Sequence, residues 1–206
     1  MTVRRLEVLV EEPSAKVALD ILLKKMVSGT TRFAVRDFGS KHKLLRVLPE
    51  RLAGYAKRIQ AGEDLRILVL VDKDSDDCEA LKNRLEGGAV GCGLATKSRP
   101  DVQGRFHVVN RIVVEELESW FIGDPVALRK AFPKLPPANS KGIFARPDNQ
   151  GNRAWENLHR FLKKHGIFRN SYPKIEAARK IAPHIDLARN RSPSFRQFCI
   201  GVEVLL

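Results

Sequence analysis

Cysteine is scarce in this chain of 206 residues, which has only Cys78, Cys92 and Cys199. An odd number without a Cys-x-x-Cys pair argues against a disulfide framework and a cysteine-based zinc site, and predicts free, buried thiols in a cytoplasmic protein. Long apolar runs are missing too, so no membrane span is expected, and the first fourteen residues lack the features of a secretory signal. Apolar residues still make up 43% of the chain, enough for a hydrophobic core.

Acidic residues are also few relative to basic ones, at 24 against 37, which gives a net charge of +13. The surplus is densest in residues 141–206, where 13 lysines and arginines stand against 5 acids. Such a surface attracts polyanions, and nucleic acid, either RNA or DNA, is the leading partner. A cationic surface that is merely solvated is the alternative.

Short apolar runs alternate with helical patterns over the first two thirds of the chain, which predicts an α/β fold with a mainly parallel sheet. The predicted strands cover 6–10, 32–38, 66–71 and 105–114, and the predicted helices cover 15–27, 41–60, 76–85 and 115–124. Ser14 is a candidate N-cap, and Pro49 a candidate break in the second helix. The glycine-rich stretch 87–93 follows a helix and lacks a Lys-Ser/Thr pair, so it indicates a turn rather than a phosphate-binding loop.

The last third of the chain differs in character. Residues 133–152 contain four prolines and several turn-forming residues, and three short basic helices are predicted over 154–166, 172–182 and 194–206. We therefore predict an α/β domain over 1–132, a connecting loop over 133–152, and a small basic helical extension over 153–206 that packs on the same domain.

Acidic side chains follow three of the predicted strands, at the point where each strand ends. They are Glu11 and Glu12, then Asp72, Asp74 and Asp76, and finally Glu115, Glu116 and Glu118. Ligands of a parallel sheet lie beyond the carboxyl ends of its strands, so these acids are expected at one edge. Carboxylates crowded there would repel one another, and Mg²⁺ or Mn²⁺ would relieve the repulsion and bridge the site to a phosphate.

Each acid also has a simpler interpretation. Asp77 is expected to cap the third helix, and Glu115 and Glu116 suit the first turn of the fourth, where Glu115 and Glu118 would share a face. An EF-hand loop is rejected because its glycine and its closing glutamate are missing. A phosphatase of the haloacid dehalogenase type stays a weak competitor, since Asp76 stands where that motif has threonine or valine.

Two segments together resemble the Toprim domain of topoisomerases, primases and related nucleases. VLVEEPSAK (8–16) resembles its strand with a terminal glutamate, and VLVDKDSDD (69–77) resembles its strand ending in Asp-x-Asp. The order and spacing of further segments, from VEEPSAK to RNRSPSF, are similar over nearly the whole chain to domain of unknown function family 4276. That resemblance implies a Toprim-like sheet flanked by helices, and a relationship to nuclease effectors of anti-phage defence.

Carried over to this sequence, the resemblance implies a metal-dependent endonuclease. It makes Glu11, Asp72 and Asp74 catalytic, and it makes Glu11, Asp72, Asp74, Asp76 and Glu118 the ligands of Mg²⁺ or Mn²⁺, with Glu12 and Glu115 as additional acids. The family's glycine is replaced here by Glu12, and a further acid by Ala15.

The basic residues of the last third are candidate phosphate contacts that would hold a strand without reading its sequence. They are Lys163, Lys164, Lys174, Arg179, Lys180, Arg189 and Arg191. Because Tyr55 and Tyr172 are expected away from the acids, cleavage by hydrolysis is favoured over transesterification. The alternatives are a non-catalytic module that binds nucleic acid or a partner such as an ATPase, and a small-molecule phosphatase.

Overall fold

The computed structural model describes residues 4–27 and 29–206, so four residues of the predicted first domain lie outside it. Four strands form one parallel sheet in the order β2-β1-β3-β4. They are β1 (Arg5–Val10), β2 (Arg32–Asp37), β3 (Leu65–Asp72) and β4 (Val108–Val113). The prediction of an α/β fold with a parallel sheet is confirmed.

Helices cover both faces of this sheet. They are α1 (Pro13–Met26), α2 (Lys41–Gln60), α3 (Cys78–Val90), α4 (Glu118–Ile122), α5 (Pro125–Ala131), α6 (Ala154–Lys164), α7 (Lys174–Ile181) and α8 (Pro193–Glu203). Short 3₁₀ turns lie at Gly142–Phe144 and Ala182–His184. No helix in the described part of the chain is both long and apolar enough to cross a membrane.

Alternating side chains of the strands feed two separate cores. On β1, Val8 and Val10 face the larger core with α1 and the helices from α4 onward, while Leu9 faces the smaller core with α2 and α3. The C-terminal helices belong to the larger core, which contains Trp120 of α4 and Phe195 of α8, both fully buried. Both faces of the two central strands, β1 and β3, are therefore buried, which agrees with their mostly apolar sequences, whereas the edge strand β2 is largely exposed and contains three charged residues.

Several local predictions were wrong at helix ends. Ser14 lies inside α1 rather than at its cap, because Glu12 holds the cap position and Pro13, which has no N–H to satisfy, begins the helix. Pro49 stays within a continuous α2, and the predicted turn 87–93 begins later, since α3 runs on to Val90.

Three further differences concern the middle of the chain and the thiols. Helix α4 begins at Glu118 rather than at residue 115, and α5 was not predicted although Asp124 and Pro125 mark its start. All three cysteines are free as predicted, but only Cys199 is buried: Cys78, at the start of α3, is exposed, and Cys92 is partly exposed.

Candidate functional site

The ends of β1, β3 and β4 bring acids together at the carboxyl edge of the sheet. Val10 pairs with Leu70, and Asp72 pairs with Val113, so all three strands stop at nearly the same level. The Glu11 carboxylate accepts a hydrogen bond from the backbone N–H of Asp72. The Asp72 carboxylate in turn accepts a longer bond, 3.4 Å, from the N–H of Leu117, directly before α4. One chain of hydrogen bonds thus links the three strand ends.

Two of the four non-glycine residues with a left-handed backbone in the described chain lie at this edge. Asp74 and Glu115 have φ angles of 50° and 63°, in the left-handed region that side-chain-bearing residues seldom adopt. The two are joined, because the N–H of Asp74 donates to the Glu115 carbonyl at 2.9 Å. Such strain costs on the order of 1–3 kcal/mol per residue and is found mainly at functional sites. The bond prolongs the pairing of β3 with β4 and fixes the loop that carries Asp74.

Three central carboxyl groups resist ionisation. Burial raises the pKa of Glu11 to about 7, and the charges of Asp74 and Glu12 add to this, while Lys41 acts in the opposite sense. Burial also raises the pKa of Glu118 to about 7, against the influence of Lys174. The pKa of Asp72 is raised well above its ordinary value by burial and then by the charges of Glu11 and Glu118. Burial and neighbouring charges therefore favour the neutral, protonated forms of these three carboxyl groups.

Two lysines neutralise the rim of the cluster. Lys41, the first residue of α2, places its ammonium nitrogen 2.6 Å from an Asp74 oxygen and 3.0 Å from an Asp76 oxygen. Lys174, the first residue of α7, lies 3.1 Å from a Glu12 oxygen. Asp76 and Glu12 thus have local partners, and the predicted role of Lys174 as a phosphate contact competes with this ion pair.

Glu118 and Tyr172 face each other with unsatisfied oxygens. In the described part of the chain, Glu118 Oε1 and the Tyr172 hydroxyl are both buried without a hydrogen-bond partner. Burial, followed by the charge of Glu118, raises the pKa of Tyr172 well above its ordinary value. The Tyr172 ring stacks on Trp155 with ring centroids 6.3 Å apart. Tyr172 therefore lies beside the acids, against the prediction, because the segment before α7 folds back over α4.

Glu115 and Glu116 serve the surrounding structure. Glu115 accepts a hydrogen bond from the backbone of Gln150, and Glu116 accepts one of 2.9 Å from that of Trp155. Glu115 lies before α4 in a left-handed conformation, so the prediction that it shares a helix face with Glu118 was wrong. The prediction that Asp77 caps α3 is confirmed by its bond from the Ala80 N–H at 2.8 Å.

The basic residues predicted to contact nucleic acid are spread over several elements. Lys163 and Lys164 are exposed at the end of α6, and Arg179 is exposed on α7, where Lys180 pairs with Glu176 at 2.8 Å. Arg189 donates two hydrogen bonds, of 2.9 and 2.8 Å, to the fully buried Asp124 carboxylate. Arg191 reaches the Phe144 carbonyl at 3.4 Å. Arg189 thus has a structural role, and phosphate contact by the others stays a prediction.

Two residues at the cluster were not recognised as such from the sequence. The sequence gives one indication for Lys41. It is a basic residue in the first turn of α2, which contains no acid, although the helix dipole favours negative charge at that position. For Tyr172 it gives none, because its approach to Glu118 depends on how α7 packs against α1.

The carboxylate oxygens of the acidic cluster suit a hard cation, although they do not form a complete set of metal ligands in this structure. Among residues 4–27 and 29–206, no three Asp, Glu, His or Cys side chains are already grouped as metal ligands. Glu11, Asp72 and Glu118 nevertheless offer only oxygen donors, which Mg²⁺ and Mn²⁺ prefer. The buried, unpartnered Oε1 of Glu118 is the atom that a cation would satisfy. The chemistry of these side chains therefore suits such an ion, although in this structure they are not arranged as a complete set of ligands.

Comparison with known proteins gives a family but no described relative. No curated protein and no solved structure matches the chain. The sequence pattern of a family described as domain of unknown function (DUF4276) matches residues 10–203, which include the strand-end acids, both rim lysines and Tyr172. The chain therefore belongs to the DUF4276 family.

Proposed function

We propose that this protein is a Mg²⁺- or Mn²⁺-dependent nuclease that hydrolyses phosphodiester bonds of RNA or DNA. The observation that carries the proposal is the group formed by Glu11, Asp72 and Glu118 at the carboxyl edge of the sheet. Burial is the main cause of their raised pKa values, and the charges of neighbouring acids add to it at Glu11 and Asp72. Buried acids with perturbed pKa values in one place are typical of functional sites.

The roles of the side chains follow from their surroundings. Asp72 and Glu118 would hold the ion, with Asp74 joining when it leaves Lys41. When bound, a divalent cation would neutralise phosphate charge and lower the pKa of a water molecule. Glu11, with a pKa of about 7, is suited to move a proton at its carboxylate near neutral pH. Asp76, Glu12 and Glu115 are weaker candidates, because each already has a partner within the chain.

The biological setting is part of the same proposal. The likeness of residues 8–16 and 69–77 to Toprim motifs supports a Toprim-type nuclease, and the DUF4276 assignment extends over the same residues. Anti-phage defence in the cytoplasm is the setting that the resemblance favours, and an ATPase is a candidate partner there. The free cysteines are consistent with a reducing compartment.

The direct test is cleavage of labelled single- and double-stranded RNA and DNA by the purified chain, with Mg²⁺, Mn²⁺ or EDTA. We expect metal-dependent cleavage that Asp72→Asn, Glu11→Gln and Glu118→Gln each reduce at least a hundredfold. The matched control is Asp20→Asn, which removes an acid paired with Lys16 on the surface of α1 and should cleave normally.

Metal binding provides a second readout. Mn²⁺ should raise the melting temperature of the unaltered chain and of Asp20→Asn, and should have little effect on Asp72→Asn. Cleavage that persists in EDTA, or that survives Asp72→Asn, would contradict the proposal. Turnover of a free phosphate monoester without effect on nucleic acid would favour a small-molecule phosphatase instead.

A second candidate is a non-catalytic module that binds nucleic acid or a partner protein. It is favoured by the two lysines, because Lys41 and Lys174 already neutralise the rim acids as a metal would. Isothermal titration with Mn²⁺ separates the two. The absence of any site at millimolar concentration, together with nucleic-acid binding unaffected by Asp72→Asn, would establish this alternative.

A further inference from the structure

Helix α2 carries much of the positive charge of this protein on a face turned away from the acids. It contains six lysines and arginines and one acid, Glu50. Two of the six have carboxylate partners, since Lys41 pairs with Asp74 and Arg58 with Glu63. In the described residues, no carboxylate oxygen lies within 4.0 Å of the ammonium or guanidinium groups of the other four, which are Lys43, Arg46, Arg51 and Lys57. The ammonium and guanidinium groups of these four residues are therefore available to an anionic ligand.

A glycine lies in the middle of the same helix without a structural reason. Gly54 is exposed, six residues from the end of α2, and a Cβ added there would meet nothing within 4 Å. Glycine inside a helix costs about 1 kcal/mol relative to alanine. Glycine is commonly found where a ligand must approach the backbone closely. Nothing in the described chain uses the space left by the missing side chain at Gly54.

Gly54 lines a cavity of about 610 Å³ between α2 and the end of β2. Phe38 and Tyr55 form apolar parts of its wall, and two guanidinium groups lie over their rings, Arg51 at 5.9 Å and Arg58 at 5.7 Å. Arg51 has no carboxylate partner in the described residues and keeps its N–H donors for an anion, whereas Arg58 already donates to both carboxylate oxygens of Glu63. The cavity is also lined by two acids, Asp37 and Glu50. Three basic residues, Lys43, Arg51 and Arg58, line it as well.

The cavity adjoins the acidic cluster through the start of α2. Lys41 contacts Asp74 and Asp76 at the cluster, and Lys43, two residues later, lines the cavity. Asp37 ends β2 at the same carboxyl edge of the sheet that carries the acids. A strand lying along α2 would therefore arrive at the acidic cluster at its end.

We propose that this groove, defined by Lys43, Arg51, Gly54 and Phe38, binds single-stranded nucleic acid. Lys43 and Arg51 contact phosphates, the backbone of the strand passes closest at Gly54, and bases lie against the apolar wall. A cavity of this volume takes a few nucleotides of one strand, whereas a duplex is too wide to enter it. Basic grooves with aromatic walls are the usual means of holding single strands. The purpose of this binding, delivery of substrate to the acids, rests on the proposed nuclease function.

The test is fluorescence anisotropy with labelled single-stranded DNA and RNA of about twenty nucleotides, in EDTA. Lys43→Ala combined with Arg51→Ala should weaken binding at least tenfold at 0.1 M salt. Each phosphate contact to a single strand contributes about 0.7 to the slope of log K against log salt, so the slope should fall by about 1.4. The control, Arg129→Ala with Lys130→Ala, removes the same charge from the exposed end of α5 and should weaken binding less than threefold.

The glycine gives a test that leaves the charge unchanged. Gly54→Trp should fill the groove and weaken binding at least tenfold, whereas Gly54→Ala, which adds one methyl group at the point of closest approach, should weaken binding by a smaller factor and melt at a higher temperature. The inference would be overturned if the control pair lost as much affinity as the Lys43→Ala, Arg51→Ala pair, or if Gly54→Trp bound normally. It would also be overturned if the chain bound duplex more tightly than single strands, or bound neither. If binding depends on the groove but the chain cleaves neither RNA nor DNA, the proposed nuclease function is rejected and the proposed single-strand-binding groove is retained.

Discussion

Removing the charge of Glu118 should stabilise the folded protein at neutral pH. Its pKa is about 7 in the folded state, against an ordinary value of 4.5. The folded state therefore holds a proton that the unfolded state releases between pH 4.5 and 7. The contribution of neutral Glu118 to the free energy of unfolding is fully present below pH 4.5 and is lost as the pH rises through 7. Two and a half pH units at about 1.4 kcal/mol each give a penalty of about 3 kcal/mol above pH 7. Glu118→Gln should recover up to that amount.

The assay is urea denaturation at intervals from pH 4.5 to 8, in EDTA so that no metal compensates the charge. Glu118→Gln should match the unaltered chain near pH 4.5 and exceed it by about 2–3 kcal/mol at pH 8. His107, whose pKa burial lowers, gives the opposite slope in this range, but it contributes equally to both proteins and cancels in the difference.

Glu176→Gln provides the matched control, because that acid is exposed and paired with Lys180 on α7. Its stability should follow the unaltered chain at every pH. A Glu118→Gln variant that is less stable at pH 8, or whose difference does not change with pH, would refute the view that burial holds the Glu118 carboxyl group against ionisation. The same variant should lose its response to Mn²⁺, so stability and metal binding should change in opposite directions.

Three substitutions test the packing around the site, each by urea denaturation. Gly123→Ala should lose about 1–3 kcal/mol, since its Cβ would lie 2.2 Å from Asn190 Oδ1; an unchanged stability would show that the turn relaxes freely. Pro49→Ala should gain about 1–3 kcal/mol by restoring a backbone donor inside α2, and a loss would mean that the proline itself is packed. Tyr172→Phe should change stability by less than about 1 kcal/mol because its hydroxyl lacks a partner, and a loss above about 2 kcal/mol would reveal a hydrogen bond.

The strand ends were predictable because they depend on short-range pattern. The two central strands are recognisable in the sequence as apolar runs. Parallel strands place their carboxyl ends at one edge of the sheet, so the sequence predicts that Glu11 and Asp72 lie close together. The structure bears out their proximity through the bond from the Asp72 N–H to Glu11. The register of β1 with β3 follows from the same runs, since a slip would expose their apolar side chains.

The surroundings of the acids were not predictable in the same way. The start of α4 was misplaced because Glu115 adopts a left-handed conformation that its side chain gives no reason to expect. Lys41, Lys174 and Tyr172 reach the cluster from elements that lie far away in the sequence. Their positions are set by packing of α2 over one face and of α7 against α1 on the other, which no local pattern encodes.

The ion pairs change which acids matter most to the proposed metal site. From the sequence, Asp72 and Asp74 were the leading ligands, and Glu118 was the last of the set. In the folded chain, Lys41 lies 2.6 Å from Asp74, so a cation would have to displace that lysine before Asp74 could bind it. Glu118 presents a buried oxygen that has no partner in the described residues and that loses nothing by binding an ion. Asp72 and Glu118 are therefore the pair around which we expect an ion to bind, and Lys41 is the residue that decides whether Asp74 joins them.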